Sequence, residues 1–328
     1  MPLKASPSFT PVLLSLSLCS LLSLGVALCL GSVPLAAGDL WTLLNNRDSS
    51  LEQAVLLNLR LPRALTSFAL GGLLSLAGIY MQVLLRNPLA DPYIMGTSGG
   101  AAVAALGAML LGMTGMAIQG AAAFGAFAAI LLVFALAHAE GSWSPTRLLL
   151  TGVVVAAGTG ALVSLLLALG DEARLRGMLF WLMGDIATYS RVTPLWTLLL
   201  LASGLSYLLA RHLNVLARGE LQAQTLGMNI KQMRIGLFAA SALLTAAVVT
   251  TAGSIGFVGL ITPHLARLLV GADHRRVAPA AVLLGGSLLT LADTAARTLF
   301  APHQLPVGAL TALIGVPVFL TLMYRRKA

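Results

Sequence analysis

LARGELQAQTLG, residues Leu216–Gly227, is a polar interruption in a chain that is otherwise almost continuous hydrocarbon. It carries Arg218, Glu220, two glutamines, Gly219 and Gly227, and it follows Arg211 and His212. A short helix reads from Glu220, with Leu221 and Leu226 as its only large apolar residues and Gly227 as its stop. Such a helix has no place in lipid, so it faces water or a second protein. On these residues alone a solvated loop and a grip for a soluble partner both remain open.

The surrounding composition sets the class. Of 328 residues, 58% are hydrophobic and 9% charged, with a mean hydropathy of +0.92. A soluble domain carries about 25% charged residues, so the chain reads as an all-α polytopic membrane protein. Its 33 glycines suit helices that pack closely in lipid. A net charge of +9 would suggest nucleic acid in a soluble protein, but here the positive-inside rule accounts for it. Cys19 and Cys29 stand ten residues apart in one apolar run, where a disulfide is implausible, and no Cys/His cluster offers a metal site.

Ten apolar stretches are spaced as spans: Val12–Leu30, Ala64–Leu85, Ile94–Leu111, Met116–Ala137, Leu148–Leu169, Pro194–Ala210, Ile235–Thr251, Ser254–Val270, Val277–Leu299 and Val307–Tyr324. The first is longer than a usual signal core and reads as an uncleaved span. Asp39–Arg60 is polar. RNPLADP (Arg86–Pro92) is a tight loop whose prolines stop any helix. Gly170–Arg191 has charged ends and an apolar centre at Met178–Met183, which suggests a short helix dipping into the membrane interface. In Ser254–Val270 and just before it, Gly253, Gly256 and Gly259 recur every three residues, as a bare face for close backbone contact. Pro263, His264 and Arg267 follow, and the stretch reads as a structural hinge.

Ten spans put both termini on one side. With the termini cytosolic, 13 of the 20 Lys and Arg residues fall inside, together with Leu216–Gly227, and 7 fall outside. That bias sets the orientation, with Asp39–Arg60 and Gly170–Arg191 facing outward.

Absent motifs narrow function. No Gly-Lys pair occurs, so there is no Walker A loop, and no H-E-x-x-H or Ser-His-Asp arrangement is found. A membrane enzyme therefore lacks its catalytic cluster. An ion-coupled secondary transporter needs buried ionisable groups. The chain offers Asp293, four residues before Arg297 and readily neutralised by it, and His264 with Arg267. An external energy source is implied.

Several stretches together resemble the FecCD-type permeases, membrane subunits of type II ABC importers for ferric siderophores, haem and cobalamin. They are RLPRAL (Arg60–Leu65), GIYMQVLLRNPLADPYIMGTSGGA (Gly78–Ala101), RLLLTGV (Arg147–Val153), LARGELQAQTLGM (Leu216–Met228) and AGSIGFVGLITPHLARLLVGADHR (Ala252–Arg275). They occur in the family's order across essentially the whole chain, read as one permease domain over residues 1–328.

The resemblance implies roles for particular residues. Arg218, Gly219, Glu220, Gln224, Leu226 and Gly227 would form a cytoplasmic coupling helix that docks on a separate ATPase subunit, which binds ATP and Mg; no cofactor is expected in this chain. Arg60, Arg63 and Arg297, at outer span ends, would receive acidic residues of a periplasmic substrate-binding protein, a role favoured here over that of simple snorkelling anchors. Asn87, Pro88, Asp91 and Pro92, with Ser144 and Arg147, would form inner gate loops. Two copies of the permease would line a path along Thr151–Leu167, Met178–Met183 and the last span. Partners are thus the ATPase, the binding protein, a second copy and the bilayer, with no nucleic acid. An iron(III)-siderophore chelate is the expected cargo, with haem and cobalamin as alternatives.

Overall fold

A lipid-embedded chain must close its backbone hydrogen bonds internally, and helices do so within one segment. The computed structural model describes residues 9–31, 35, 38, 50–138, 145–186 and 192–325. Among these the chain is helical, without strands. In order come α1 (Phe9–Cys29), α2 (Leu51–Val55), α3 (Leu61–Leu84), α4 (Thr97–Leu110), α5 (Met116–His138), α6 (Pro145–Ala168), α7 (Glu172–Met183), α8 (Val192–Arg218), α9 (Glu220–Thr225), α10 (Ile230–Ala252), α11 (Val258–Val270), α12 (His274–Thr298) and α13 (Val307–Arg325). Among the described residues seven helical runs are long and apolar enough to cross a membrane: α1, α2 through α3, α5, α6, α8, α10 and α12. Three more are apolar but shorter, namely α4, α11 and Val307–Thr321 of α13.

Three of the spans that differ from their sequence reading do so for a local reason. The second begins earlier: Ser50 caps α2, and a π-helical turn at Leu56–Arg60 joins it to α3, so the end of the polar Asp39–Arg60 stretch is helical. The third starts only at Thr97, after a 3-10 turn at Pro92–Met95 that Asp91 caps by accepting the Tyr93 amide. The eighth starts at Val258, because Gly253 (φ 67) and Phe257 (φ 69) take left-handed conformations that a helix cannot include. Gly253 and Gly256 therefore lie outside the helix, and only Gly259 and Pro263 of the expected hinge stand within a buried helical turn.

Every residue of α3 from Thr66 to Leu84 is buried. Its neighbours approach to backbone contact. A Cβ on Gly71 would lie 2.1 Å from the Gly285 carbonyl oxygen of α12, and one on Gly78 would lie 1.8 Å from that of Gly259 on α11. Polar side chains then tie α3 to each neighbour: Ser75 to Thr262 (2.7 Å), Gln82 to the Leu260 carbonyl (3.1 Å), Tyr80 to Ser206 on α8, and Ser241 on α10 to the Ala77 carbonyl (3.0 Å). On the α8 side the Trp196 ring stacks on Phe68 at 5.8 Å and its indole donates to the Leu65 carbonyl. Among lipid tails such contacts replace the hydrophobic drive between helices.

Overpacking one contact costs about 1–3 kcal/mol in a core that can relax, and two facing carbonyl backbones cannot. Gly78→Val should abolish recovery of monodisperse protein in detergent, whereas Gly158→Val, where an added Cβ meets nothing within 4 Å, should purify as the parent does. Equal recovery of the two variants, measured by size-exclusion chromatography, would contradict this packing.

Candidate functional site

The polar handle forms as its glycines require. α8 runs to Arg218, well past its apolar part, and Gly219 breaks it at φ 135, a conformation that L side chains rarely adopt. Glu220–Thr225 then makes the short helix α9, and Gly227 (φ 77) ends it, with Asn229 capping α10 through the Gln232 amide. Ala223 is fully buried, while Leu221 (80% exposed) and Leu226 (72% exposed) project outward, and Arg218 and Gln224 are exposed too. Two large apolar side chains on a polar, six-residue projection make a small contact surface. At the same end, Asn214 on α8 donates to Asp273 (2.7 Å) and accepts the His274 amide (2.9 Å), tying α8 to the start of α12. The hydrogen bond donated by the Asn214 side chain holds the Asp273 carboxyl below its usual range.

Glu220 does not project with the leucines. Its Oε1 pairs with Nη2 of Arg86 at 2.9 Å and, more closely, with Nη2 of Arg234. The sequence alone singles out neither arginine as a partner: Arg86 opens RNPLADP, but nothing in its neighbours indicates a partner 134 positions away.

Arg86 leads into the expected gate loop. Asn87 accepts the Leu89 amide (2.9 Å), Pro92 is buried, and the Tyr93 hydroxyl accepts the Ile255 amide (3.2 Å) from the α10–α11 connection. Gly152 in α6 packs here as well, since its Cβ would lie 2.2 Å from the Ile94 carbonyl oxygen. Arg147 occupies the first turn of α6, and Ser144 lies outside the described residues. His264 and Arg267 stand in α11, and Arg267 pairs closely with Gln82 on α3.

The three arginines expected to face a binding protein lie at the end of the molecule remote from α9, and they turn inward. Arg60 is 3% exposed and donates to the Leu28 (2.8 Å) and Cys29 (2.9 Å) carbonyls, closing the C-terminus of α1. Arg63 embraces Asp293, Nε to both carboxylate oxygens at 3.1 and 3.0 Å and Nη2 to Oδ1 at 2.8 Å. Arg297 pairs with Asp293 from the next turn of α12 at 3.3 Å. Asp185, after α7, approaches Arg63 at 3.5 Å. The neutralisation of Asp293 by Arg297 is as the i,i+4 spacing suggests; the larger share taken by Arg63 comes from packing α3 against α12.

Beside this cluster opens a cavity of about 1230 Å³ lined by Gln119, Arg176, Phe180, Trp181, Asp185 and His303 among others. α7, which lies within the Gly170–Arg191 stretch read as a short helix, forms one wall. Among the described residues no group of His, Cys, Asp and Glu could hold a metal ion.

The arrangement is a helical membrane body with a projecting helix at one end and a cavity at the other. The model of the FecCD transport family matches residues 16–325. The chain belongs to the FecCD transport family. It is 40% identical over 316 residues to the hemin transport system permease protein HmuU of Yersinia pestis, covering 94% of this chain and 95% of that one. It is 37% identical over 309 residues to the Fe(3+) dicitrate transport system permease protein FecC of Escherichia coli K12, covering 91% and 92%. Among solved structures, a metal-chelate type ABC transporter in an inward-facing conformation matches with a TM-score of 0.84 at 34% identity, over 97% of this chain and 99% of the other. This FecCD chain is thus a multi-pass ABC importer permease, a transport subunit and not a catalytic one.

Two electrostatic outcomes follow. Removing one partner of a buried ion cluster costs about 3–5 kcal/mol. Asp293→Asn, which leaves Arg63 and Arg297 facing one another, should lower the unfolding temperature in detergent sharply, while Asp171→Asn at a side chain 76% exposed should leave it in place. Burial pushes the Asp91 carboxyl up to about 6, against the opposing bond from Tyr93. A raised carboxyl binds its proton more tightly in the fold, so its stabilising contribution is complete below about pH 4 and lost as pH rises through about 6. Hydrogen exchange over Ala90–Met95, corrected for intrinsic rates, should be better protected at about pH 5 than at about pH 7.5. Asp91→Asn, which keeps the cap, should flatten that dependence.

Proposed function

We propose that this permease works as a homodimer in the bacterial inner membrane, driven by a separate ATPase subunit and fed by a periplasmic substrate-binding protein. Both termini and α9 face the cytosol in this reading, following the distribution of Lys and Arg. The observation that carries it is the outward display of Leu221, Gln224 and Leu226 on a helix anchored by Ala223, which suits the cleft of a soluble partner. Arg218, Gly219 and Gly227 complete that coupling element. Asn87, Pro88, Asp91, Pro92, Ser144 and Arg147 serve as the cytosolic gate, and Gly253–Arg267 as the hinge behind it. Arg60, Arg63 and Arg297 act on the binding protein by fixing the shape of the periplasmic face, their charges being engaged within the chain.

The cargo is a bulky iron(III) chelate of the siderophore type. Support comes from the hemin and Fe(3+) dicitrate permeases among the relatives and from a periplasmic-end cavity large enough for most of a drug-sized ligand. An ion-coupled carrier needs a buried carboxylate free to exchange its ion, and Asp293 is clamped by two guanidiniums.

The test is uptake by cells lacking their own permeases, complemented with this gene and its neighbouring ATPase and binding-protein genes, with labelled ferric siderophores, haemin and cobalamin offered in parallel. Accumulation of the ferric chelate that vanishes with a Walker A lysine substitution in the ATPase is expected. Accumulation of haemin or cobalamin alone would replace the cargo, and ATP-independent uptake would remove the importer mechanism.

A further inference from the structure

Arg86 occupies a position where its residue type is out of place. α3 ends in the manner of a glycine-capped helix: the Asn87 amide reaches back to the Gln82 carbonyl (3.1 Å) and the Arg86 amide to Val83 (3.3 Å). The residue between must be left-handed, and Arg86 sits at φ 49. Glycine adopts that conformation freely, whereas an arginine there is strained. Its side chain then reaches Glu220 at the start of α9. Partly exposed ion pairs contribute little net stability, so the Arg86–Glu220 pair, its side chains 41% and 21% exposed, does not repay the strained backbone. Fold stability therefore does not account for the arrangement.

Its placement does. Glu220 is the first residue of α9, Arg234 lies in the first turns of α10, and Arg86 is continuous with Asn87–Pro92. From that loop the Tyr93 hydroxyl reaches Ile255, between α10 and α11. We propose that the Arg86–Glu220–Arg234 ion triad is the joint through which movement of α9 is passed to the Asn87–Pro92 loop. Glu220 and Arg86 are then positioning residues: neither meets the cargo, and Glu220 faces this chain's own arginines instead of the ATPase. The inference rests on the reading of α9 as the ATPase contact and of the loop as a gate. Coupling between two sites requires an element that both can bias, and the Arg86 arm of the triad, the more exposed of the two, can re-form in a second arrangement at small cost.

The permease is purified with its cognate ATPase and reconstituted, with Cys19→Ser, Cys29→Ser and Leu89→Cys as a reporter in the loop. Labelling of that cysteine by a membrane-impermeant maleimide is followed without nucleotide and after trapping with ATP and vanadate. In the parent the rate is expected to differ between the two conditions by about five-fold or more, in the usual range for coupled sites. Arg86→Gly suits the left-handed backbone, so it should fold at least as well and still retain the ATPase, yet lose the nucleotide effect. Arg86→Lys, which keeps a cation, should restore part of it. A full nucleotide effect in Arg86→Gly overturns the joint. Loss of the ATPase from that variant overturns it as well, because Arg86 would then belong to the docking surface. A parent that neither retains the ATPase nor responds to nucleotide would instead remove the importer reading, and the joint with it.

Discussion

The architecture depends on how closely other backbones approach α3. Lipid tails are as apolar as leucine, so burying leucine against leucine gains little between membrane helices, and association rests on van der Waals contact and interhelical hydrogen bonds. Gly71 against Gly285 and Gly78 against Gly259 bring α12 and α11 to α3 without an intervening side chain. That proximity lets Ser75 meet Thr262 and lets Gln82 reach the Leu260 carbonyl. A glycine pair thus does two things: it permits the contact, and it brings short polar side chains within bonding distance. The buried polar groups of α3, unfavourable in an isolated helix, become the specific part of the packing.

Charge is organised by the same economy at both ends. Each end has one carboxylate shared between two arginines from different elements: Asp293 with Arg63 and Arg297, and Glu220 with Arg86 and Arg234. Their burial differs. The Asp293 side chain is 1% exposed and that of Glu220 is 21% exposed. A buried cluster is costly to break because each unpaired ion would be left without water, which suits a fixed end. A partly exposed pair such as Arg86–Glu220 can exchange partners with water, which suits a moving one. The far-end cavity beside Asp185 adjoins the rigid cluster, and the projecting α9 adjoins the compliant one.

The positions where the chain departs from its sequence reading have local causes. Gly253 and Gly256 fit a helical period on paper, but Gly253 is pressed against the Trp181 carbonyl, where an added Cβ would lie 2.2 Å from the oxygen, and it adopts a left-handed conformation. Periodicity cannot register a constraint imposed by α7. The family resemblance gives Arg60, Arg63 and Arg297 an outward-facing role, and their place at span ends agrees with it. Whether a guanidinium at a helix end turns out or in depends on what lies beside it, here the end of α1 and the carboxylate of Asp293. Glu220 is the same case in reverse: a charge in an exposed loop whose partners lie in two other segments.

The sequence by itself determined that this is a helical membrane protein, where its polar handle begins and ends, and which family it resembles. Those properties follow from hydropathy, from Gly219 and Gly227, and from ordered motifs, all of which act over short distances along the chain. Tertiary structure alone decided which charges neutralise one another, which glycines are contacts, and that the left-handed Arg86 reaches α9. Those depend on separations of many tens or hundreds of residues, from Arg86 to Glu220 and from Arg63 to Asp293. The energy of a pair depends on distance in space and on the water excluded around it, and neither is written in the order of residues.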